Sequence, residues 1–457
     1  MNTAEETKTL APWTEAVPAD WRVTRLDAVA DVLFSNVDKH TMDGEEPVRL
    51  CNYVDVYKND RITSGIDFME ASAEEREIRK FQIRRGDVLA TKDSEEADDI
   101  AIPSLVAEDL PGVLCGYHLA MIRPRFPSVS GPFLAWLHAS KSFRAQYEAK
   151  AVGVTRFGLS QYAFRAARIP LPPLLEQQRI AAYLDGSCAA IDAAVAAKRR
   201  QLETLDALRK SIIHRAATKG LSPAAPRRAT GVGWFGEIPR HWRCEHLKRF
   251  TTRIQTGMTP RTDRPDYYFD GTVPWFAPGS YNGDIELREP RKLVNELAWN
   301  EGELRMFPSG TVFLVGIGAT IGKVGLVPTK ASCNQQLIGI VCGHRMHSRY
   351  LAYQFKIYED VIPGIASATT LSIFDQVKTG YLPTLQPPRE EQGAICAHLD
   401  VKLAEVKQIA SGIESQISIL KAYRKSLIHE CVTGQRRVTE ADMGRWGISA
   451  NNDRGMT

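Results

Sequence analysis

The stretch Pro172-Pro173-Leu-Leu-Glu176-Gln177, continuing through Leu184-Asp185 to Arg209-Lys210-Ser211-Ile212-Ile213-His214, occurs twice in this chain. The second copy runs Pro387-Pro388-Arg-Glu-Glu391-Gln392, then Leu399-Asp400, then Arg424-Lys425-Ser426-Leu427-Ile428-His429, each landmark 215 residues after its match. Apolar residues in both copies advance by steps of four and three. The first reads Leu184, Cys188, Ile191, Val195, Leu202, Leu205, Ile212; the second reads Leu399, Leu403, Val406, Ala410, Ile413, Ile417, Leu420, Leu427. A sustained 3.5-residue period marks a coiled-coil seam rather than a broad core-facing stripe. Lys198 and the matched pair Arg209/Arg424 interrupt it. Proline suits a first helical turn, so Pro172-Pro173 and Pro387-Pro388 mark starts, while Gly220 with Pro223, and Gly434, mark ends. Each helix then has about 40 residues and a length of roughly 60 Å. Such a seam cannot stay in water, and the simplest cover for each helix is the other.

The repeat extends beyond the helices. Val17-Pro18-Ala-Asp-Trp21-Arg22 followed by Leu26 matches Ile238-Pro239-Arg-His-Trp242-Arg243 followed by Leu247. A period of about 220 residues means two duplicated domains, not a solenoid. The expected plan is a flexible tail (1–16), a first domain (17–170), a long helix (171–218), a linker (219–231), a second domain (232–382), a second long helix (383–434) and a polar tail (435–457). In the first domain Val48 to Val54 and Asp87 to Thr91 read as strands and Phe133 to Tyr147 as helix. In the second, Ser309 to Val315 takes the place of the Gly86 strand. Ala331-Ser-Cys333-Asn-Gln-Gln336-Leu takes that of Val113-Leu-Cys115-Gly-Tyr-His118-Leu, and Tyr350-Leu-Ala-Tyr353 that of Phe133-Leu-Ala-Trp136. A dozen extended linker residues reach only ~40 Å, short of the ~60 Å needed to return along a helix, so the helices are expected antiparallel.

Composition narrows the class. The 457 residues carry a net charge of only +4, so binding to nucleic acid must use local basic patches. Eight cysteines are scattered without a C-x-x-C pair, which argues for a reducing compartment and against a zinc ribbon. The polar, acidic start is no signal peptide, and the apolar run Thr311 to Ile321 is too short and glycine-rich to span a bilayer. The expectation is a cytoplasmic protein with no membrane partner.

Gly316-Ile-Gly318-Ala-Thr-Ile-Gly322-Lys323 suggests a phosphate loop, but Ile317 and Val324 stand where a Walker A motif needs Gly and Ser or Thr. It reads as a glycine-rich turn between two strands. No H-E-x-x-H or G-x-S-x-G motif occurs. The repeated His214 and His429 sit beside Arg-Lys in the last helical turns, which fits a helix C-terminus better than catalysis. Basic and aromatic residues interleave in both domains: Tyr53, Tyr57, Lys58, Arg61, Arg76, Arg79, Lys80, Arg84 and Arg85, then Arg253, Arg261, Arg264, Tyr267, Tyr268, Trp275, Lys323 and Lys330.

These residues, in this order, resemble the specificity subunits of type I restriction–modification systems. The hallmark is Ile169-Pro-Leu-Pro-Pro-Leu-Leu-Glu-Gln-Gln-Arg-Ile180 with Leu184-Asp185, and its second copy at Pro387-Pro388-Arg-Glu-Glu391-Gln392. Thr256-Gly257-Met-Thr259-Pro260 with Tyr267-Tyr268 and Val273-Pro274-Trp275 is similar to a second signature, as is Gly318-Ala-Thr-Ile-Gly322-Lys323. Asn52-Tyr53-Val-Asp55-Val-Tyr57-Lys58-Asn59 is similar to another recognition-domain variant. The resemblance covers nearly the whole chain. It implies an α+β fold: two duplicated mixed α/β target-recognition domains separated by two long helices, which form an antiparallel coiled coil with pseudo-two-fold symmetry.

The same resemblance implies that each domain reads one half of a bipartite, asymmetric site in double-stranded DNA. The helical pair would set the spacing and dock two DNA adenine methyltransferase subunits, with two restriction/translocase subunits in a restricting complex. This chain would be non-catalytic and hold no metal; S-adenosylmethionine, ATP and Mg would belong to the partners. The candidate DNA-binding residues are Tyr53, Tyr57, Lys58, Lys92, Ser94, Tyr117, His118 and Arg156 in the first domain. In the second they are Thr256, Thr259, Arg261, Tyr268, Lys323, Gln335 and Gln336. Most weight falls on Lys92, Tyr117, Arg156, Thr259, Arg261, Lys323 and Gln336. The first domain carries Thr91-Lys92-Asp93-Ser94 where the second has its glycine run. A coiled-coil scaffold binding only proteins would explain the helices but not the duplicated domains. A self-contained DNA-modifying enzyme would need a catalytic motif.

Overall fold

Apolar strands and two long helices organise a computed structural model that describes residues 17–366 and 373–444. The expected tail 1–16 and the last part of the tail, 445–457, lie outside the described residues. The chain divides into two units: the first joins Met1–Lys198 to Ser415–Thr457, and the second is Arg199–Glu414.

In the first unit the chain order is β1 (Arg22–Arg25), β2 (Ala30–Phe34), β3 (Glu46–Cys51), α1 (Tyr53–Lys58), β4 (Arg61–Ile62), β5 (Met69–Ala73), α2 (Glu75–Phe81), β6 (Val88–Thr91), β7 (Asp93–Ser94) and β8 (Pro103–Val106). It continues with β9 (Val113–Cys115), β10 (Leu119–Pro124), α3 (Gly131–Ala139), α4 (Lys141–Glu148), β11 (Phe157–Gly158), α5 (Gln161–Arg165), β12 (Arg168–Leu171) and the start of α6 (Leu174–Lys219). A five-stranded sheet has the order β2-β10-β6-β8-β4, a three-stranded sheet the order β5-β3-β9, and β1 pairs with β12 and β7 with β11. The expected strand from Val48 stops at Cys51. There the Asp55 carboxylate accepts the Asn52 N–H at 2.7 Å and turns the chain into α1. The expected 133–147 helix is two helices, broken at an extended Ser140, where Arg144 donates to the carbonyls of His138 and Ala139.

The second unit follows the end of α6 with β13 (Arg227–Ala229), β14 (Glu237–Pro239), β15 (Arg243–His246), β16 (Thr251–Thr256), β17 (Val273–Phe276), β18 (Lys292–Val294), α7 (Glu296–Asn300), β19 (Val312–Val315) and β20 (Val324–Leu326). Then come β21 (Ser332–Cys333), β22 (Leu337–Cys342), α8 (Ser348–Lys356), α9 (Ile362–Ala366), α10 (Gln376–Gly380), β23 (Pro383–Gln386) and the start of α11 (Arg389–Thr433). Its sheets have the orders β16-β22-β19-β20, β18-β17-β21 and β15-β23. Most strands match the first unit: β15-β23 answers β1-β12, β16-β22-β19-β20 answers β2-β10-β6-β8, and β18-β17-β21 answers β5-β3-β9, while β4 makes a fifth strand in the first unit's sheet. In both three-stranded sheets the central strand is antiparallel to one neighbour and parallel to the other. The glycine run is the turn joining β19 to β20, as expected. The linker contains β13, which pairs with β14.

Both long helices start later than the 171 and 383 expected from proline. The residues just before them form β12 and β23, which pair with β1 and β15, so the prolines end a strand as well as begin a helix. The Pro173 carbonyl accepts the first helical bonds from Glu176 and Gln177, and the Pro388 carbonyl does so from Gln392. In the first unit Ile180, Leu184, Cys188 and Ile191 pack with Leu427, Ile428, Cys431 and Val432. In the second, Ile213, Ala216 and Ala217 pack with Ile395, Cys396 and Leu399. Each unit thus pairs the start of one helix with the end of the other, the antiparallel coiled coil expected. Ile213, not Ile212, is the buried residue near the end of α6. There the helix also faces Phe235, Ile238 and Trp242, so the narrow seam widens into a core-facing stripe. Helix α6 includes a stretch apolar enough by length and composition to cross a membrane, a property the sequence reading assigned to no segment; its apolar side is the seam just described.

The repeated punctuation ties helix to domain. Trp21 Nε1–H donates to Glu176 Oε2 at 3.0 Å and Trp242 Nε1–H to Glu391 Oε2 at 3.1 Å. Buried Gln177 accepts from the Ser130 N–H and donates to the carbonyls of Ser128 and Pro172. Gln392 likewise accepts from the His347 N–H and donates to Arg345 and Pro387. Asp185 accepts from Trp136 Nε1 at 2.9 Å, and Asp400 accepts from Tyr353 Oη and from Arg349 Nε at 2.9 Å. Gly434 (φ +79°) and Gly220 (φ +69°) end the helices in the left-handed region. A side chain there would strike Pro18 and Trp21 in one unit, and Glu391 and Trp242 in the other. Arg437 continues the first tie, pairing with Asp20 and Glu176. In the short α12 (Glu440–Gly444), Glu440 pairs with Arg179.

The seam interruptions and histidines also have partners. Arg424 reaches Asp192 at 3.2 Å and Asp60 at 3.1 Å, Arg209 reaches Asp206 at 3.1 Å, and Lys198 is half-buried. His214 and His429 do not complement a helix end, because α6 and α11 continue for a further turn. His214 Nε2–H donates to the Trp234 carbonyl at 2.7 Å, and His429 Nδ1 bonds Ser142 Oγ at 2.6 Å.

Gln177→Leu would leave three buried backbone groups unpaired, so urea unfolding should show a loss of about 2–4 kcal/mol, and Gln392→Leu a similar one. A second expectation concerns His138, wholly buried against Tyr147, where burial lowers its pKa from 6.5 to about 4. The unfolded chain takes up the proton first as pH falls. The neutral ring's contribution is therefore complete above pH 6.5 and is lost down to pH 4, by about 3 kcal/mol. Unfolding curves across that range should be less steep with pH for His138→Gln than for wild type.

Candidate nucleic-acid interface

The loops that leave equivalent strands carry most of the candidate residues. In the first unit Gly116 lets the β9–β10 loop lie against β3, since a Cβ there would come within 2.8 Å of the Cys51 carbonyl. The next residues, Tyr117 and His118, meet edge to face at 4.7 Å. Lys92 Nζ lies 4.5 Å over the Tyr117 ring and 5.1 Å over Phe34, and donates to the Ser35 carbonyl at 3.4 Å. Burial lowers the Lys92 pKa, partly offset by Asp93. Expected as a leading contact, this lysine points inward and props Tyr117.

Asp93 gathers the rest of this cluster. It bonds His118 Nδ1 at 2.9 Å and accepts from Arg156 Nε at 3.1 Å. Tyr53 and Tyr57 stack at 5.6 Å and 13° on α1, and Tyr57 donates to Asp99 at 2.7 Å. Tyr53, Tyr57, Ser94, Thr155 and Arg156 line a cavity of about 530 Å³ with Glu95, Glu96 and Asp99. Seven of the eight first-domain candidates thus come together. Lys58 does not: it lines a separate groove with Asp60, Arg61, Trp136, Asp185 and Arg424. The face is mixed in charge rather than basic. Arg61, Arg76 and Arg79, interleaved with aromatics in sequence, pair with Asp185, Glu74 and Glu75.

In the second unit the Thr-Gly-Met-Thr-Pro stretch is a loop pinned against β21. Gly257 is required there, because a Cβ would fall 2.0 Å from the Cys333 carbonyl. Tyr268 Oη–H donates to the Pro260 carbonyl at 2.7 Å and Trp275 Nε1–H to that of Met258 at 3.0 Å. This accounts for the Tyr and Trp of that signature: they hold the loop. Thr259 Oγ1–H donates to Gln335 Oε1, and Asn334 donates to Gln336 Oε1 at 2.8 Å. Thr256, a candidate contact, has both its carbonyl and hydroxyl engaged by Arg305 at 2.6 and 3.0 Å. Arg261 pairs with Glu303 at 3.3 Å, and Lys292 lies 3.9 Å over Tyr268. Lys323 stands exposed at the C-terminal base of the glycine turn, near Lys356.

The sequence reading missed Asp93, Asn334 and Arg305. Asp93 and Asn334 directly adjoin candidate residues, which is the signal that could have found them; Arg305 lies far from Thr256 in sequence and had none. Among the described residues no His, Cys, Asp and Glu group is arranged to hold a metal. The amides of exposed Gln335 and half-buried Gln336, with Arg156 and His118, suit base edges, whereas Lys323 suits a phosphate.

Residues 250–418 match the type I restriction modification DNA specificity domain. Over 436 residues the chain is 24% identical to a protein of Methanocaldococcus jannaschii named as the MjaX type I restriction enzyme specificity subunit, covering 92% of this chain and 95% of the relative. A second protein of that organism, the type I restriction enzyme MjaIX specificity subunit, is 29% identical over 173 residues, 36% of this chain and 38% of the relative. The fold is similar to a structure solved for the complex assembly and conformational transition of the type I R-M system (TM-score 0.71, 20% identity, 92% of this chain and 99% of that one). It is also similar to the crystal structure of the HsdS subunit from Thermoanaerobacter tengcongensis (TM-score 0.52, 19% identity, 92% and 98% coverage).

Lys323→Ala should weaken binding to all duplexes alike and reduce the slope of log affinity against log salt by about 1. Titrations of matched and unmatched duplexes at several salt concentrations check this. A changed sequence preference would remove Lys323 from the phosphate role.

Proposed function

We propose that this chain, which belongs to the family of type I restriction–modification specificity subunits, reads a bipartite, asymmetric DNA site, one half with each unit. One observation carries the reading. Two units whose matched strands run in the same order hold different side chains on the same loop, Tyr117-His118 after β9 and Gln335-Gln336 after β21. A duplicated scaffold with different polar groups at matched positions suits two unlike half-sites.

In this reading the long helices set the spacing between half-sites and dock two adenine methyltransferase subunits, to which two restriction/translocase subunits add in a restricting complex. The chain supplies the address in the cytoplasm and performs no chemistry itself. S-adenosylmethionine, ATP and Mg then belong to the partners. Within this chain Arg156, His118, Gln335 and Gln336 are assigned to bases, Lys323 to a phosphate, and Lys92 and Trp275 to holding their neighbours in place.

In-frame deletion of this chain from its host, read by modified-base sequencing, should abolish adenine methylation at a single bipartite, asymmetric motif. An unchanged methylome in cells that express the chain would overturn the assignment and favour a scaffold that binds only proteins.

A further inference from the structure

Asp93 occupies a place in the first unit where the second has no acid. Strand β7 pairs with β11, with Asp93 opposite Gly158, which brings Arg156 alongside. The Asp93 side chain is 15% exposed, and each oxygen has its own partner. Oδ1 accepts from Arg156 Nε at 3.1 Å and from Nη2, while Oδ2 bonds His118 Nδ1 at 2.9 Å.

Those two contacts dictate what the partners offer outward. Arg156 is 54% exposed, and its Nε–Nη2 edge is spent on Asp93. Its Nη1 is left to face outward and, beside an Nη2 that also lies 3.5 Å from His118 Nδ1, suits the paired acceptors O6 and N7 of guanine. A carboxylate only accepts, so His118 Nδ1 carries the proton, and in the neutral form of the ring Nε2 is an acceptor. That atom suits an exocyclic amine, on adenine or cytosine. The neighbouring Glu95, Glu96 and Asp99 make the same face unfavourable to phosphates and favourable to base amines.

The second unit shows that this is no scaffold requirement. The Lys92 N–H donates to the His118 carbonyl at 3.2 Å and the Gly316 N–H to the Gln336 carbonyl at 2.8 Å. The Leu159 N–H donates to the Lys92 carbonyl and the Phe374 N–H to that of Gly316, both at 2.8 Å. Lys92 and Gly316 are thus equivalent, so Asp93 matches Ile317 and His118 matches Gln336. Ile317 bridges Ile373 as Asp93 pairs with Gly158, and Gln336 is held by Asn334 instead of an acid. The backbone bonds are kept while the polar device is replaced.

We propose that Asp93 is the positioning residue of the first unit's reading surface, presetting Arg156 for a guanine and His118 for an adjacent base that bears an exocyclic amine. This rests on the function proposed above. The test is modified-base sequencing of the host carrying the full chain as wild type, Asp93→Asn, Asp93→Glu or Arg156→Lys. Asp93→Asn and Arg156→Lys should each relax one or two adjacent positions of one half-site by roughly ten- to hundredfold. The other half-site should be unchanged, and Asp93→Glu should recover part of the preference. A motif that both variants leave intact, or methylation that falls evenly with the motif preserved, overturns the assignment; the exposed Arg156→Lys change decides if Asp93→Asn fails to fold. A wild-type chain that directs no methylation overturns the underlying function, and this assignment with it.

Discussion

A buried glutamine at the start of each long helix is the constraint on which the rest of the structure depends. Gln177 and Gln392 are fully enclosed, and each satisfies one backbone N–H and one carbonyl on the loop before α3 or α8 and the carbonyl of the proline after β12 or β23. An amide is the one neutral side-chain group able to accept and donate in this pattern. A carboxylate could not donate to the two carbonyls. The preceding glutamate faces the other way and takes the indole N–H of Trp21 or Trp242. Two adjacent residues therefore fix the strand before the helix, the helix itself and the domain's first strand as one body. Interactions this fully satisfied explain why the same letters stand at both places.

Away from those ties the two units diverge as soon as backbone geometry no longer forbids it. The orders of their matched strands agree, yet the loops after β9 and β21 carry an aromatic and an imidazole in one unit and two amides in the other. The supporting groups diverge with them: Asp93 and Lys92 beneath the first loop, Asn334 and Thr259 around the second. Neither surface is a simple basic patch. Many of the arginines near the aromatics are committed to carboxylates, which fits a net charge of only +4 for the whole chain. Affinity for a polyanion then has to come from a few exposed cations such as Lys323, and discrimination from oriented polar edges.

The long helices, their antiparallel pairing, the duplication and the matched loops were all legible in the sequence. Heptad spacing, proline and glycine punctuation and a fixed 215-residue offset are local or periodic signals. The Thr-Gly-Met-Thr-Pro signature was legible as a pattern, but not as a loop whose carbonyls are held by Tyr268 and Trp275. The role of Lys92 was not legible at all. Nothing in Thr91-Lys92-Asp93-Ser94 says that the amine turns under Tyr117 while the carboxylate reaches Arg156, sixty-three residues away.

By itself, then, the sequence determined what repeats along the chain: that two long helices recur, which of their faces is apolar, and that one scaffold occurs twice. Those properties follow from residue spacing and backbone chemistry, which act over a few turns of chain. Only the tertiary structure decided which charges are spent and which are free. Whether Arg61 meets Asp185, Arg156 meets Asp93 or Lys323 stands exposed depends on residues brought together across sheets. Ion pairing falls off within a few ångströms, and distance along the sequence says nothing about distance in space.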